Sequence, residues 1–159
     1  MLFRRFVLPL AAGACLMLSG PTALRAQADA PVVKNASLVF VTAEDGKDET
    51  TVLTIAVTNA GGVFLDRVFD AKQEIKPGTT FNLWLQRARP ETADKLTGSK
   101  ISFRIDPKGD EHWVVKDVKL QVNFESGPSR SWHWGPFVLE TKASKPFTVE
   151  YALTDDRKL

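Results

Sequence analysis

Few side chains in this sequence could carry out covalent chemistry. Its 159 residues include one cysteine, Cys15, and two histidines, His112 and His133. A nucleophilic enzyme needs a serine, cysteine or similar group within reach of a base, yet neither a G-x-S-x-G elbow nor an H-E-x-x-H motif is present. Ser131 lies two residues before His133, a spacing that puts both side chains on one face of a strand without forming a triad. We therefore expect a protein that is not an enzyme.

The best candidate for a metal site is the acidic segment 44–49, EDGKDE. Ca²⁺ takes six to eight oxygen ligands, which a flexible loop supplies from carboxylates and backbone carbonyls. Asp45 and Asp48 are the predicted ligands, and a second acidic segment at 106–111 is a candidate to share the ion. Lys47 offsets part of the negative charge, so a solvated hairpin turn is the simpler interpretation. Calcium is the only cofactor that the sequence suggests.

The segment 130–135, RSWHWG, is the most suggestive binding stretch. On an extended backbone Trp132 and Trp134 project to one side, with His133 opposite. Two parallel indoles beside Arg130 could stack on a sugar or lie at a lipid interface, because tryptophan combines an apolar body with a polar N–H. A β-sheet core also needs large aromatic residues, and we expect at least one of the two indoles to be buried there.

Residues 1–28 have the pattern of a signal peptide. Arg4 and Arg5 give a basic start, residues 6–18 form an apolar run, and the Ala-Gln-Ala at 26–28 fits a cleavage site. The run is shorter than the roughly 20 apolar residues of a transmembrane helix. We predict cleavage after residue 28, or alternatively after residue 26, and export of a single domain comprising residues 29–159 to the periplasm or the extracellular space.

Cys15 permits a competing interpretation, because Ala12-Gly13-Ala14-Cys15 faintly resembles a lipoprotein box. Such a box has an aliphatic residue at the position of Ala12, and here the apolar run continues past the cysteine. We therefore expect a signal peptide without lipidation and a mature chain without cysteine.

The charge of the mature chain argues against a nucleic-acid partner. Removing Arg4, Arg5 and Arg25 reduces the 21 basic residues to 18, against 19 acidic residues, so the formal net charge falls from +2 to −1. The sequence pI of 8.7 therefore belongs to the precursor. No basic patch remains of the kind that binds a phosphate backbone.

The mature chain is long enough for one domain with its own core. Apolar and polar residues alternate in short segments separated by turn residues, the pattern of an antiparallel eight-stranded β-sandwich. The predicted strands span residues 32–42, 51–59, 63–69, 79–86, 101–105, 114–124, 132–140 and 147–153. The seventh is interrupted by Gly135-Pro136, and one helical turn is expected after Pro90.

The segment 98–122 resembles the central signature of the PLAT domain, a β-sandwich found in lipases and lipoxygenases and alone in small secreted proteins. The residues that carry the resemblance are Gly98, Ile101, Phe103, Ile105, Asp106, Gly109, Trp113, Val118, Leu120 and Val122. Ile105 stands where the family has a histidine. The resemblance implies a buried Trp113 and a free-standing, non-catalytic binding module, engaging a lipid surface or a protein partner.

Two other functions remain open. One is a carbohydrate-binding β-sandwich that uses Trp132 and Trp134, and the other is a structural or stress protein of the cell envelope. Glycan binding requires exposed indoles, lipid insertion requires apolar loop tips, and a protein partner requires an apolar patch of several hundred Å².

Overall fold

The computed structural model describes residues 29–43, 46–47, 49–70, 72, 74–142 and 144–154. The predicted signal peptide lies outside this range. The described residues form nine β-strands and a short 3-10 turn, Ala93–Lys95. The strands are β1 Val33–Thr42, β2 Val52–Asn59, β3 Gly62–Phe69, β4 Thr80–Arg87, β5 Lys100–Asp106, β6 Glu111–Phe124, β7 Arg130–Trp134, β8 Phe137–Thr141 and β9 Phe147–Ala152. Among these residues, none form a helix with the length and hydrophobicity of a membrane span.

The all-β antiparallel prediction is confirmed, but the predicted count of eight strands is wrong. All pairings are antiparallel and join the strands in the order β7-β6-β1-β4-β3-β2-β5-β9, with β8 also paired to β6. The result is one strongly curled sheet, a half-barrel, rather than two clearly separate sheets. Among the described residues, β3 and β4 pair only through Leu65–Arg87 and Asp66–Gln86. The sheet is therefore weakest at this junction.

The ninth strand arises from the Gly135-Pro136 interruption. β7 and β8 both pair with the same edge of β6. Trp134 at the end of β7 pairs with Val118, and Phe137 at the start of β8 pairs with Val115, so the same register continues across the interruption. A Cβ atom on Gly135 would lie 2.6 Å from the carbonyl oxygen of Lys116, and φ at Gly135 is +148°. Only glycine fits this combination of close approach and backbone angle without strain.

A bulge in β6 lies opposite this interruption and reverses which side chains are buried. Trp113 and Val115 face the core in the first half of the strand, whereas Val118 and Leu120 do so in the second half. The register shift lies between the pairs Val41–Asp117 and Thr42–Val115. Alternation along residues 114–124 of the sequence predicts that Val114 shares the side of Val118. That prediction is wrong, because the extra residue of a bulge shifts the alternation by one.

Aromatic side chains connect distant strands of the curled sheet. The Phe40 ring of β1 meets the Phe103 ring of β5 edge-on at 5.5 Å, and Phe103 lies 5.3 Å from Phe137 of β8. Trp134 of β7 stacks on Tyr151 of β9 at 6.0 Å. These contacts fill the concave side, so a ligand must bind to the convex side, an edge or the loops.

Candidate binding surface

The structure buries the two tryptophans of the segment 130–135. Trp132 is 1% exposed and Trp134 is fully buried. The indole N–H of Trp132 donates to the carbonyl oxygen of Thr154 at 3.1 Å. The expectation that at least one indole belongs to the core is confirmed for both, and neither presents a face on which a sugar could stack.

Arg130 is likewise occupied by contacts within the chain. Its guanidinium donates to the carbonyl oxygen of Ala93 at 2.8 Å and lies 5.7 Å from the ring centre of Phe124. Arg130 therefore ties the start of β7 to the 3-10 turn. The three residues chosen as ligand contacts do not form one exposed site.

The calcium ligands predicted in segment 44–49, Asp45 and Asp48, lie outside the described residues. The loop's end does approach the second acidic segment, because the Thr51 hydroxyl donates to the carboxylate of Glu111. Asp106, however, accepts two hydrogen bonds of 2.8 Å from Arg104, whose hydrogen bonding lowers the pKa of Asp106 against the opposing effect of burial. Among the described residues, no group of three potential metal ligands is present.

Both histidines are exposed on the sheet surface. His133 bonds to Asp117 of the neighbouring strand, and His112 lies 3.9 Å from the carboxylate of Glu140. Ser131 lies opposite Gln121 on the same outer face as His133. In the part of the chain that the structure describes, Ser131 has no side-chain hydrogen bond to a base.

A cleft of about 660 Å³ lies between the β2–β3 turn and the segment after β4. Arg89 and Asn59 each place a nitrogen 2.6 Å from the same Glu91 oxygen, and Arg89 also donates to the Asn59 side chain at 2.6 Å. Burial acts to raise the pKa of Glu91, but hydrogen bonds from Asn59, the Thr92 amide and Arg89 hold it below its ordinary value. The charges of Arg89 and Glu91 are paired with each other, an arrangement typical of a structural clamp, although the buried Nε of Arg89 has no hydrogen-bond partner among the described residues.

Trp84, in contrast, is 62% exposed and is the most exposed large apolar side chain among the described residues. It lies on β4 between Leu83 and Leu85, which face the core. Burying an indole yields a large hydrophobic gain, so a solvent-exposed one in mid-strand is a candidate ligand contact.

Trp84 begins a row of outward-facing side chains that crosses four strands. Ser37 of β1 pairs with Trp84 and with Gln121 of β6, and Gln121 pairs with Ser131 of β7. We call Trp84, Ser37, Gln121 and Ser131 the outer row. At the usual strand spacing it is about 14 Å long.

Side-chain amides extend the outer row on one side. The Gln121 amide donates to Asn123 at 3.1 Å, and Asn123 donates to Asn35 at 2.8 Å. Amides and hydroxyls both donate and accept hydrogen bonds. The surface next to Trp84 is therefore polar and largely uncharged, and its hydrogen-bonding groups are held by neighbouring strands.

A small cavity of about 300 Å³ opens beside Trp84, where β3 and β4 diverge. Its lining residues are Arg67, Phe69, Phe81, Asn82, Leu83 and Trp84. We call this cavity the β3–β4 slot. The Phe69 and Phe81 rings meet edge-on at 5.6 Å inside it, and the Arg67 guanidinium lies 5.8 Å from the centre of the Phe69 ring.

Alternation along residues 79–86 of the sequence predicts that Trp84 lies on the face opposite Phe81, Leu83 and Leu85, but Trp84 was not among the predicted site residues. The available signal was a tryptophan that shares the parity of the polar residues Asn82 and Gln86. The sequence carried no comparable signal for Arg67, because its position in the β3–β4 slot depends on where β3 and β4 separate.

Comparison with models of known protein families gave no match, and comparison with curated protein sequences gave none either.

Proposed function

We propose that this protein is an exported, non-catalytic binding domain with a PLAT-like strand arrangement, and that it binds saccharides through Trp84 and the outer row. The observation that carries the proposal is the exposed indole of Trp84, which lies on the outer face of the sheet beside hydroxyl and amide side chains. An indole face covers the apolar face of a sugar ring, and neighbouring amides hydrogen-bond to its hydroxyls.

The exposed apolar residues argue against insertion into a lipid surface. The large apolar side chains that are exposed among the described residues all lie on strands rather than at loop tips. They are Val63, Val68, Trp84, Val138 and Phe147. Insertion requires apolar tips gathered at one end of the domain, and this distribution does not supply them.

A protein partner is also less well supported. Ser37, Gln121 and Ser131, the neighbours of Trp84 along the outer row, are all polar. The contiguous apolar patch of several hundred Å² that marks a protein interface is therefore not expected along this row.

Native electrophoresis in gels that contain pectin, xylan or dextran tests the proposal. Migration of the mature protein is expected to be retarded by at least one polysaccharide, and Trp84→Ala is expected to abolish the retardation. Val138→Ala is the matched control, because Val138 is an exposed apolar residue on β8, outside the outer row. Retardation that survives Trp84→Ala, or binding to phospholipid vesicles alone, contradicts the proposal.

Tryptophan fluorescence gives an independent readout. Trp113, Trp132 and Trp134 are at most 1% exposed, so acrylamide is expected to quench mainly Trp84. A bound saccharide should protect the Trp84 emission from quenching by acrylamide, and Trp84→Phe should remove that emission.

Mass spectrometry of exported protein tests the proposed export. Loss of the first 26 or 28 residues is expected.

A further inference from the structure

Arg67 is the one charged residue among the six that line the β3–β4 slot. Its Nε atom is buried and has no hydrogen-bond partner among the described residues. The guanidinium stacks over the Phe69 ring, 5.8 Å from the ring centre. A buried donor without a partner costs stability, and no other nitrogen of Arg67 has a hydrogen bond or ion pair among the described residues. A guanidinium without an acceptor beside an open slot points to an anionic ligand that binds its outer nitrogens.

The slot and the outer row share Trp84, which lines the slot and stands at one end of the row. The slot therefore adjoins the outer row at Trp84. A guanidinium binds carboxylates with two parallel hydrogen bonds, and the remaining lining offers the Asn82 amide and aromatic rings rather than a second charge.

We propose that the β3–β4 slot binds the carboxylate of an acidic sugar, so that the preferred ligand of the Trp84 surface is a uronate-containing polysaccharide. This inference rests on the proposed function, since it assumes a saccharide stacked on Trp84. Arg67 supplies the charge selectivity, and Trp84 supplies the contact common to charged and neutral sugars.

The same geometry predicts how Arg67 affects stability. Replacing Arg67 by methionine retains an apolar stem over Phe69 and removes the unpartnered donor. The melting temperature of Arg67→Met is therefore expected to equal or exceed that of the wild type. A residue that served only to stabilise the fold would give a lower melting temperature.

Binding is measured by isothermal titration with oligogalacturonate and with its methyl ester, two probes that share one sugar backbone and differ in charge. The wild type is expected to bind the acid about tenfold more tightly than the ester, which corresponds to about 1.4 kcal/mol. Arg67→Met is expected to bind acid and ester equally. Lys119→Met is the control, because Lys119 is an exposed cation on β6 outside the slot.

The outcomes separate this inference from the proposed function. Equal binding of acid and ester by the wild type, with both lost in Trp84→Ala, overturns the role of Arg67 and leaves the saccharide proposal standing. Retention of the acid preference in Arg67→Met, or its loss in Lys119→Met, also overturns it. Arg67-dependent binding to phosphatidylglycerol vesicles or to polyglutamate, without binding to either sugar, overturns both.

Discussion

Two buried tryptophans, Trp113 and Trp132, differ in the hydrogen bonding of their indole N–H groups, and stability measurements can detect this difference. The Trp132 indole N–H donates to the Thr154 carbonyl at 3.1 Å, whereas the Trp113 N–H is buried without a partner among the described residues. Trp113 is fully buried and its ring lies 5.9 Å from that of Phe40. Trp113→Ala should therefore cost about 3–5 kcal/mol, as for other large core aromatics, a large share of a total near 5–15 kcal/mol.

Phenylalanine at each position isolates the N–H group. The smaller ring should cost both variants about 2 kcal/mol of lost apolar burial. Trp113→Phe also removes an unpartnered donor, a gain of about 1–3 kcal/mol, whereas Trp132→Phe loses a hydrogen bond worth about 0.5–1.5 kcal/mol. Trp132→Phe is therefore expected to be less stable than Trp113→Phe by about 1.5–4.5 kcal/mol.

Urea denaturation followed by far-UV circular dichroism measures both variants without depending on tryptophan emission. The slopes of the two transitions should match that of the wild type, so that midpoints report stability. If Trp113→Phe is as destabilised as Trp132→Phe, the reasoning fails, and the Trp113 N–H has a partner such as a buried water molecule.

Three further results are expected. Gly135→Ala should lower the free energy of unfolding by more than about 1 kcal/mol, because the new Cβ would clash with the neighbouring backbone. Gly109→Ala is the control: its new Cβ has no atom within 4 Å, so the free energy of unfolding should change by less than about 0.5 kcal/mol. Glu91→Gln should be destabilised relative to the wild type above pH 4.5, and urea midpoints should converge as the pH falls through the lowered pKa of Glu91, because protonation removes the advantage of the charged form. If Asp45 and Asp48 bind calcium, calcium at a hundred times its dissociation constant should stabilise the protein by about 2.7 kcal/mol. Melting curves that coincide with calcium and with chelator exclude that site. A calcium-dependent shift in melting temperature that Asp48→Asn leaves unchanged also excludes it.

The strand positions were largely predictable, since alternation of apolar and polar residues is a local property. The strand predicted over 63–69 is observed as Gly62–Phe69, and the helical turn expected after Pro90 is observed at Ala93–Lys95. The burial of Trp113 was also predicted correctly, although the alternation predicted for its strand holds only after the bulge, from Val118 to Phe124, and fails before it at Val114. A bulge depends on the partner strands, which local periodicity does not specify.

The candidate site was less predictable. Trp132 and Trp134 were correctly placed on one side of their strand, but alternation alone does not say whether that side is the core or the solvent. Trp84 had a clearer local signal, because it shares the parity of the polar residues Asn82 and Gln86, opposite to that of Leu83 and Leu85. The pairing of Trp84 with Ser37 was not visible, because it joins residues 47 positions apart.

The sequence by itself determined that this chain forms antiparallel strands with an aromatic core, because side-chain alternation and turn residues act over a few positions. Tertiary structure decided how those strands close on one another. Pairing between distant segments curled the sheet, buried Trp132 and Trp134 against its last strand and separated β3 from β4 beside Trp84. The slot that exposes Arg67 exists only because two strands stop pairing, a property of long-range register that no single segment encodes.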